Sequence, residues 1–269
     1  MKKKVVKIIH SLFRLGFFEK LLLPVVKDKY VDHFLVKFIP PNKTYKKHTY
    51  RTARSGSLTL YGDLHDYNDW KAYWRLKEIE RETLYKLAKN AKLVVDVGTN
   101  NGWLLMNISR IIKSNNGFVY GFEPHPDTFA RCMNNIGKSN ISNCKVFNMG
   151  CGESESEMVM TVENESNSGR NRIDINANRS LSNKAVNIKI TTLDKLLSSI
   201  GKIDLIKIDV EGFELQVLKG SDIILKQHKP VIFMEVDDIL LRANNTTPAE
   251  LFSFLADQYG YSFTHARTG

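Results

Sequence analysis

Cysteine is scarce in this sequence. Its three cysteines, Cys132, Cys144 and Cys151, form neither a C-x-x-C pair nor a cluster with histidine. That argues against a structural zinc site and a disulfide framework, and it points to buried thiols in a reducing compartment. No apolar run approaches the roughly 20 residues that a membrane-spanning helix needs. The start, Met1-Lys2-Lys3-Lys4, opens like a signal peptide, but Lys7, His10, Arg14 and Lys20 interrupt the uncharged stretch that should follow. The expectation is therefore a cytoplasmic chain. The sequence also lacks G-x-G-x-x-G, the glycine set that brings a dinucleotide pyrophosphate onto a helix N-terminus. A nicotinamide-dependent oxidoreductase is disfavoured for that reason.

Acidic residues are few in the first fifth of the chain. Residues 1–54 carry 14 Lys/Arg and 3 Asp/Glu, while the whole chain has a formal charge of +10. The remainder is thus close to neutral, and the basicity belongs to an N-terminal arm. We divide the chain into this arm, residues 1–47, and a domain over residues 48–269. Val5, Ile8, Ile9, Leu12, Phe13 and Phe17 recur at helical spacing among lysines and arginines. That pattern describes a basic amphipathic helix over residues 4–23. It suits peripheral contact with an anionic membrane on the cytoplasmic face, or packing of the same face on the domain. No nucleic-acid partner is expected.

From residue 48 onward the pattern reads as a small hairpin over 48–61 and a helix over 70–90. Strands and helices then alternate, which implies a mostly parallel sheet with helices on both faces. The strands fall at Leu93–Val97, Phe118–Phe122, Lys145–Met149, Ile203–Val210 and Pro230–Val236. Met158–Val162 and Val186–Thr191 read as two further strands around an Asn/Ser/Arg-rich loop too long for a plain connection. Thr247-Pro248-Ala249-Glu250 is a capping box with proline at the first helical position. Tyr261–His265 reads as one last strand.

Two clusters carry chemistry. In the first, Leu93-Val94-Val95-Asp96-Val97-Gly98-Thr99-Asn100-Asn101-Gly102 runs from strand into a glycine-bearing turn, and about twenty residues later a second apolar run ends in Glu123. This is the outline of a βαβ unit that binds a nucleoside at the carboxyl ends of parallel strands. Gly98 and Gly102 allow the tight turn, and the two oxygens of Glu123 can accept both ribose hydroxyls. Without the third glycine, a nucleoside that carries no phosphate fits better, such as S-adenosyl-L-methionine. The second cluster is Lys207-Ile208-Asp209-Val210-Glu211, where alternation puts the three charges on one side, with Glu235 at the end of the next strand. Charges at the end of a buried strand are costly unless paired or working. These carboxylates can act as general base or position a hydroxyl, or cap the sheet as a structural network with Lys207. No metal site is expected.

Four ordered motifs then resemble the FkbM-type methyltransferases over about residues 50–265. They are Asp96-Val97-Gly98-x-Asn100-x-Gly102, Phe122-Glu123-Pro124, Thr192-Leu193-Asp194, and Ile206 to Glu214 with Leu218-Lys219-Gly220. The resemblance implies a class I, Rossmann-like methyltransferase fold. It implies S-adenosylmethionine as methyl donor and a hydroxyl of a sugar, glycan or natural product as acceptor. Asp96, Gly98 and Asn100 would lie at the methionine end and Glu123 at the ribose. Asp209, Glu211 and, ranked lower, Glu235 are the candidates for the base. Arg170, Arg172 and Arg179 could hold an acidic or phosphorylated acceptor, or remain solvated. Thr99 and Asn101 depart from the family's usual alanine and apolar residue. The fold's usual final hairpin has room for only one strand after Gly260. A binding module without turnover is the alternative reading.

Overall fold

The computed structural model describes residues 10, 16–162, 171–173 and 185–268, with only the backbone of Val162, Asn171 and Arg172. Helix α1, Gly16–Val26, leads through two short 3-10 turns to the hairpin β1 (Tyr50–Ser55) and β2 (Leu58–Asp63). Where one helix is expected over 70–90, the chain forms two: α2, Tyr67–Tyr73, and α3, Ile79–Ala88. Arg75 between them has φ +54°, a left-handed conformation that no helix continues through. The break buries Leu76, while Ile79 and Leu87 are left on the surface.

The centre is a five-stranded, wholly parallel sheet. Its strands are β3 (Leu93–Val97), β4 (Phe118–Phe122), β5 (Cys144–Phe147), β10 (Leu205–Ile208) and β11 (Val231–Met234), in the order β11-β10-β3-β4-β5. Side chains alternate across it, so one face buries Val94, Val119 and Leu205 and the other Val95, Phe122, Ile206 and Ile208. Helices α4 (Trp103–Ile112) and α5 (Pro126–Lys138) cover the first face. Helices α6 (Leu193–Leu197), α7 (Glu214–Lys219), α8 (Asp222–Gln227), α9 (Asp238–Ala243) and α10 (Pro248–Tyr259) follow along the chain, and their apolar residues share the core on the second face. Both faces are covered, which is why these strands read as apolar runs.

A second sheet, order β6-β9-β7-β8, joins β6 (Gly150–Cys151), β7 (Ser156–Val162), β8 (Asn171–Ile173) and β9 (Ala185–Thr191). β7 and β9 pair antiparallel from Ser156 opposite Ile190 to Thr161 opposite Ala185. The expected arm is not separate where it is described. Leu22, Val26, Val36, Ile39 and Tyr45 share one core with Trp70, Trp74 and Leu84. Residues 4–9 and 11–15 of the expected helix lie outside the described residues. Pro24 lies inside α1.

Tyr261–His265 forms no strand. Side-chain anchors hold this segment instead: the Tyr261 hydroxyl donates to the Pro230 carbonyl at 3.0 Å, and Phe263 packs on Phe252. Arg267 pairs with Glu80 on α3. Among the described residues, β11 is therefore an edge of the sheet.

Candidate active site

A cavity of about 1530 Å³ opens at the carboxyl ends of β3, β4, β10 and β11. Parallel sheets leave such a crevice where the strand order reverses, here beside β3. The turn after β3 forms one wall. Gly98 has φ +81°, and a Cβ there would stand 1.9 Å from the Asp209 carbonyl oxygen, so only glycine lets the β3 and β10 turns meet. Asn100, also left-handed, donates its backbone N–H to Glu123 Oε2 at 2.8 Å. The His125 N–H donates to Glu123 Oε1 at 2.9 Å. Glu123 is buried and lines the cavity. Burial pushes its carboxyl up to about 7, against the pull of those two N–H groups.

Asp96 and Gly102, two expected cofactor residues, do not line the cavity. Asp96 is fully buried beneath it, 3.1 Å from Lys207 Nζ. Gly102 caps the N-terminus of α4 with φ +82°, against the sulfur of Cys132. Gly98, Asn100 and Glu123 do share the wall. The pair that departs from the family pattern has work in the structure. The Thr99 hydroxyl donates to the Asp96 carbonyl, and Asn101 Nδ2 donates to buried Asp69 at 2.6 Å.

Beside that wall, at the ends of β10 and β11, stand Asp209, Glu211 and Glu235, whose carboxylate oxygens lie within 4.8 Å of one another. The turn that presents them is pinned by Glu214, whose Oε1 accepts from the N–H groups of Val210 and Gly212. Gly212 has φ +99°, and a Cβ there would meet the Leu240 carbonyl oxygen at 2.4 Å. Glu211 sits at the tip with φ +55°. Burial, then the Asp209 charge, raises the Glu235 carboxyl to about 7. Three such carboxylates are a donor set that a hard cation accepts. The structure gives them a counter-ion of their own: Lys207 Nζ is 3.5 Å from Asp209 and donates to the Gly98 carbonyl at 2.8 Å. Burial opposes that ammonium, yet Asp96 and then Asp209 hold it above its ordinary value. The structural network weighed for Lys207 is thus present, and it ties the two walls together.

Sequence reasoning missed Lys71 and Arg81 on α2 and α3, which line the same cavity. Nothing in a charged, irregular stretch signals a site. Of the arginines proposed for an anionic acceptor, Arg170 and Arg179 lie outside the described residues, as does the side chain of Arg172.

A Rossmann-like sheet with a glycine turn, a buried acid after the next strand and carboxylates across the crevice defines the class I methyltransferase architecture. The FkbM methyltransferase domain model matches residues 96–263. The chain belongs to that family. Hexuronic acid methyltransferase AglP of Haloferax volcanii is 29% identical over 155 residues, 55% of this chain and 59% of that protein. The chain spans about three fifths of that relative's length. A solved FkbM methyltransferase from Methylobacillus flagellatus is 19% identical, covers 62% of this chain and 37% of its own, and has a TM-score of 0.44. A precorrin-6y C5,15-methyltransferase from Geobacter metallireducens is 16% identical, with 68% and 71% covered and a TM-score of 0.40.

Proposed function

We propose that the protein is an S-adenosylmethionine-dependent O-methyltransferase acting on a sugar hydroxyl. The observation that carries this is one cavity with a nucleoside-type wall, Gly98, Asn100 and Glu123, facing a carboxylate wall, Asp209 and Glu235. The sugar acid named for the Haloferax relative supports a sugar as the acceptor class.

The residues fit the donor. Each Glu123 oxygen spends one lone pair on a backbone N–H and keeps another for a ribose hydroxyl. When bound, S-adenosylmethionine supplies an activated methyl group, whose bond to sulfur breaks as a bond to the acceptor oxygen forms. The protein's part is alignment and removal of one proton. Lys207 pairs with Asp209 at 3.5 Å and fixes it against the Gly98 turn. Burial, and then the Asp209 charge, raise the Glu235 carboxyl to about 7, where a carboxylate is the better base. The acceptor hydroxyl proton passes to this pair, with Glu235 the final holder, and Glu211 frames the hydroxyl. Incubation with methyl-labelled S-adenosylmethionine and glycosides, across neutral pH, tests the reading. Transfer should rise as Glu235 loses its proton near pH 7, and Glu235→Gln should flatten that limb and slow transfer about 100-fold. Labelled product formed at the parent rate by Glu235→Gln would remove the pair from the mechanism.

We further propose that α1 rests on an anionic lipid surface. Its outer stripe, Phe17, Leu21 and Val25, is 69%, 56% and 50% exposed at successive helical turns, with Phe34 beside it at 62%. Lys20, Lys27 and Lys37 on the same segments are exposed, and two of the three acids there are paired, Glu19 with Arg51 and Asp28 with Arg75, while Asp32 is exposed. Apolar side chains ringed by cations suit an acidic headgroup layer.

A further inference from the structure

The acceptor half of the cavity has a second charged corner that methyl transfer itself does not use. Lys71 on α2 and Arg81 on α3 both pair with the single carboxylate of Glu78: Lys71 Nζ at 2.7 Å from Oε1 and Arg81 Nε at 2.7 Å from Oε2. Two cations against one anion leave one positive charge over. All three residues line the cavity, as does Tyr67, over whose ring the Lys71 ammonium lies at 4.6 Å. Lys71 is only 7% exposed, so its surplus charge is not dissipated in bulk water. The Lys71 ammonium donates to Glu78, and the Arg81 guanidinium pairs with the other oxygen of the same carboxylate. An ammonium carries three hydrogens and a guanidinium five, more than the one Glu78 carboxylate takes. A buried cation with unmet donors is costly, and in a binding cleft a ligand anion removes that cost. Burial and then the repulsion of Arg81 lower the Lys71 ammonium from its ordinary value, with Glu78 and, last, Asp209 opposing that shift. Asp209, Glu235, Lys71 and Arg81 thus line one cavity.

We propose that Lys71 and Arg81, joined by Glu78, recognise an anionic group on the acceptor, so that the methylated sugar is an acidic one. The anion docks on the α2–α3 corner while a hydroxyl elsewhere on the same ring reaches Asp209 and Glu235. A planar carboxylate can bridge the free guanidinium nitrogens and the ammonium, as can a phosphate. This proposal rests on the acceptor side of the function proposed above.

Binding, which needs no turnover, tests it. The full chain saturated with S-adenosylhomocysteine is titrated calorimetrically with a phenyl hexuronide, a phenyl hexoside 6-phosphate and the neutral phenyl hexoside. At least one acidic glycoside should bind about 10-fold or more tightly than the neutral one, and which of them does so tells carboxylate from phosphate. Arg81→Gln, at a partly exposed position, should abolish most of that preference and leave affinity for S-adenosylhomocysteine and the neutral hexoside unchanged. Lys71→Met should do the same, with its melting temperature as a check on folding. Equal binding of all three glycosides, no binding of either acid, or equal weakening of all three in Arg81→Gln overturns the proposal. If the anion preference is intact but no labelled methyl group is transferred, the methyltransferase reading fails and the recognition corner stands.

Discussion

Glu123 shows how much one buried carboxyl can be asked to do. It ties the β3 turn to the start of α5 through two backbone N–H groups and also lines the cavity. Its ordinary value of 4.5 is raised to about 7 by burial. Between those values the native state keeps a proton that the unfolded chain has lost. Its contribution to stability is therefore full below about pH 4.5 and gone once the pH has risen through about 7. Ligand binding has the opposite slope, because only the ionised form can accept both ribose hydroxyls. Affinity for S-adenosylmethionine should climb as the pH passes through about 7 and then level off. Glu123→Gln should lose that slope and weaken binding by on the order of 1.5–3 kcal/mol, the worth of a hydrogen bond to a charged group. Calorimetry at three pH values reads both. A parent affinity that is flat across neutrality, or a variant that binds equally well, removes Glu123 from the ribose.

At the scale of elements, α1 has two working faces. Glu19, Leu22 and Val26 are buried inward, with Glu19 receiving Arg51 Nε at 2.8 Å and the Tyr73 hydroxyl at 3.2 Å. Phe17, Leu21 and Val25 face out. The inner face makes the helix part of the domain, so truncating it would confuse folding with binding. Substituting the outer face alone, Phe17→Ser with Leu21→Ser and Val25→Ser, should leave the melting temperature within a few degrees of the parent. The same triple change should release the protein from vesicles rich in acidic phospholipid. Parent protein that stays in the supernatant with such vesicles at low salt, in a co-sedimentation assay, contradicts the lipid proposal.

Across the whole molecule, the hairpin and α2 are fastened to the sheet by polar ties. Tyr61 N–H donates to Asn135 Oδ1 at 2.8 Å, and Asn135 Nδ2 donates to the Asn101 carbonyl at 3.0 Å. Asn101 Nδ2 then reaches Asp69 on α2, which also takes the Asp63 N–H and Arg131. Asp69 is 1% exposed, and burial, followed by Asp66, raises its carboxyl to about 7. The turn after β3 is thus bonded directly to the element that carries Lys71. Asn101→Leu, which restores an apolar residue of the family pattern, should strand a buried Asp69 oxygen and cost roughly 2 kcal/mol. That corresponds to a fall of about 5 °C in melting temperature. Because the turn itself is loosened, affinity for the methyl donor should fall with it. A variant as stable as the parent would show the tie to be dispensable.

Local pattern determined the strands of the parallel sheet, the Gly98 turn, Glu123 and the position of Asp209, Glu211 and Glu235 at strand ends. Strand periodicity, a left-handed glycine and an acid at a strand end are all consequences of neighbours along the chain. The Thr247 capping box was legible for the same reason, and Glu250 returns its bond as expected. Tertiary contact decided the rest. Arg75 breaks the expected long helix because Leu76 must turn into the core. Tyr261–His265 leaves the ladder because Tyr261, Phe263 and Arg267 find side-chain partners elsewhere. Asp96 sinks beneath the cavity because Lys207, over a hundred residues away, is its counter-charge. Lys71 and Arg81 join the cavity only because the fold brings α2 and α3 to the same cavity as the ends of β10 and β11. A pairing between residues far apart in sequence depends on loop closure and packing, and those energies are written in no local window of the chain.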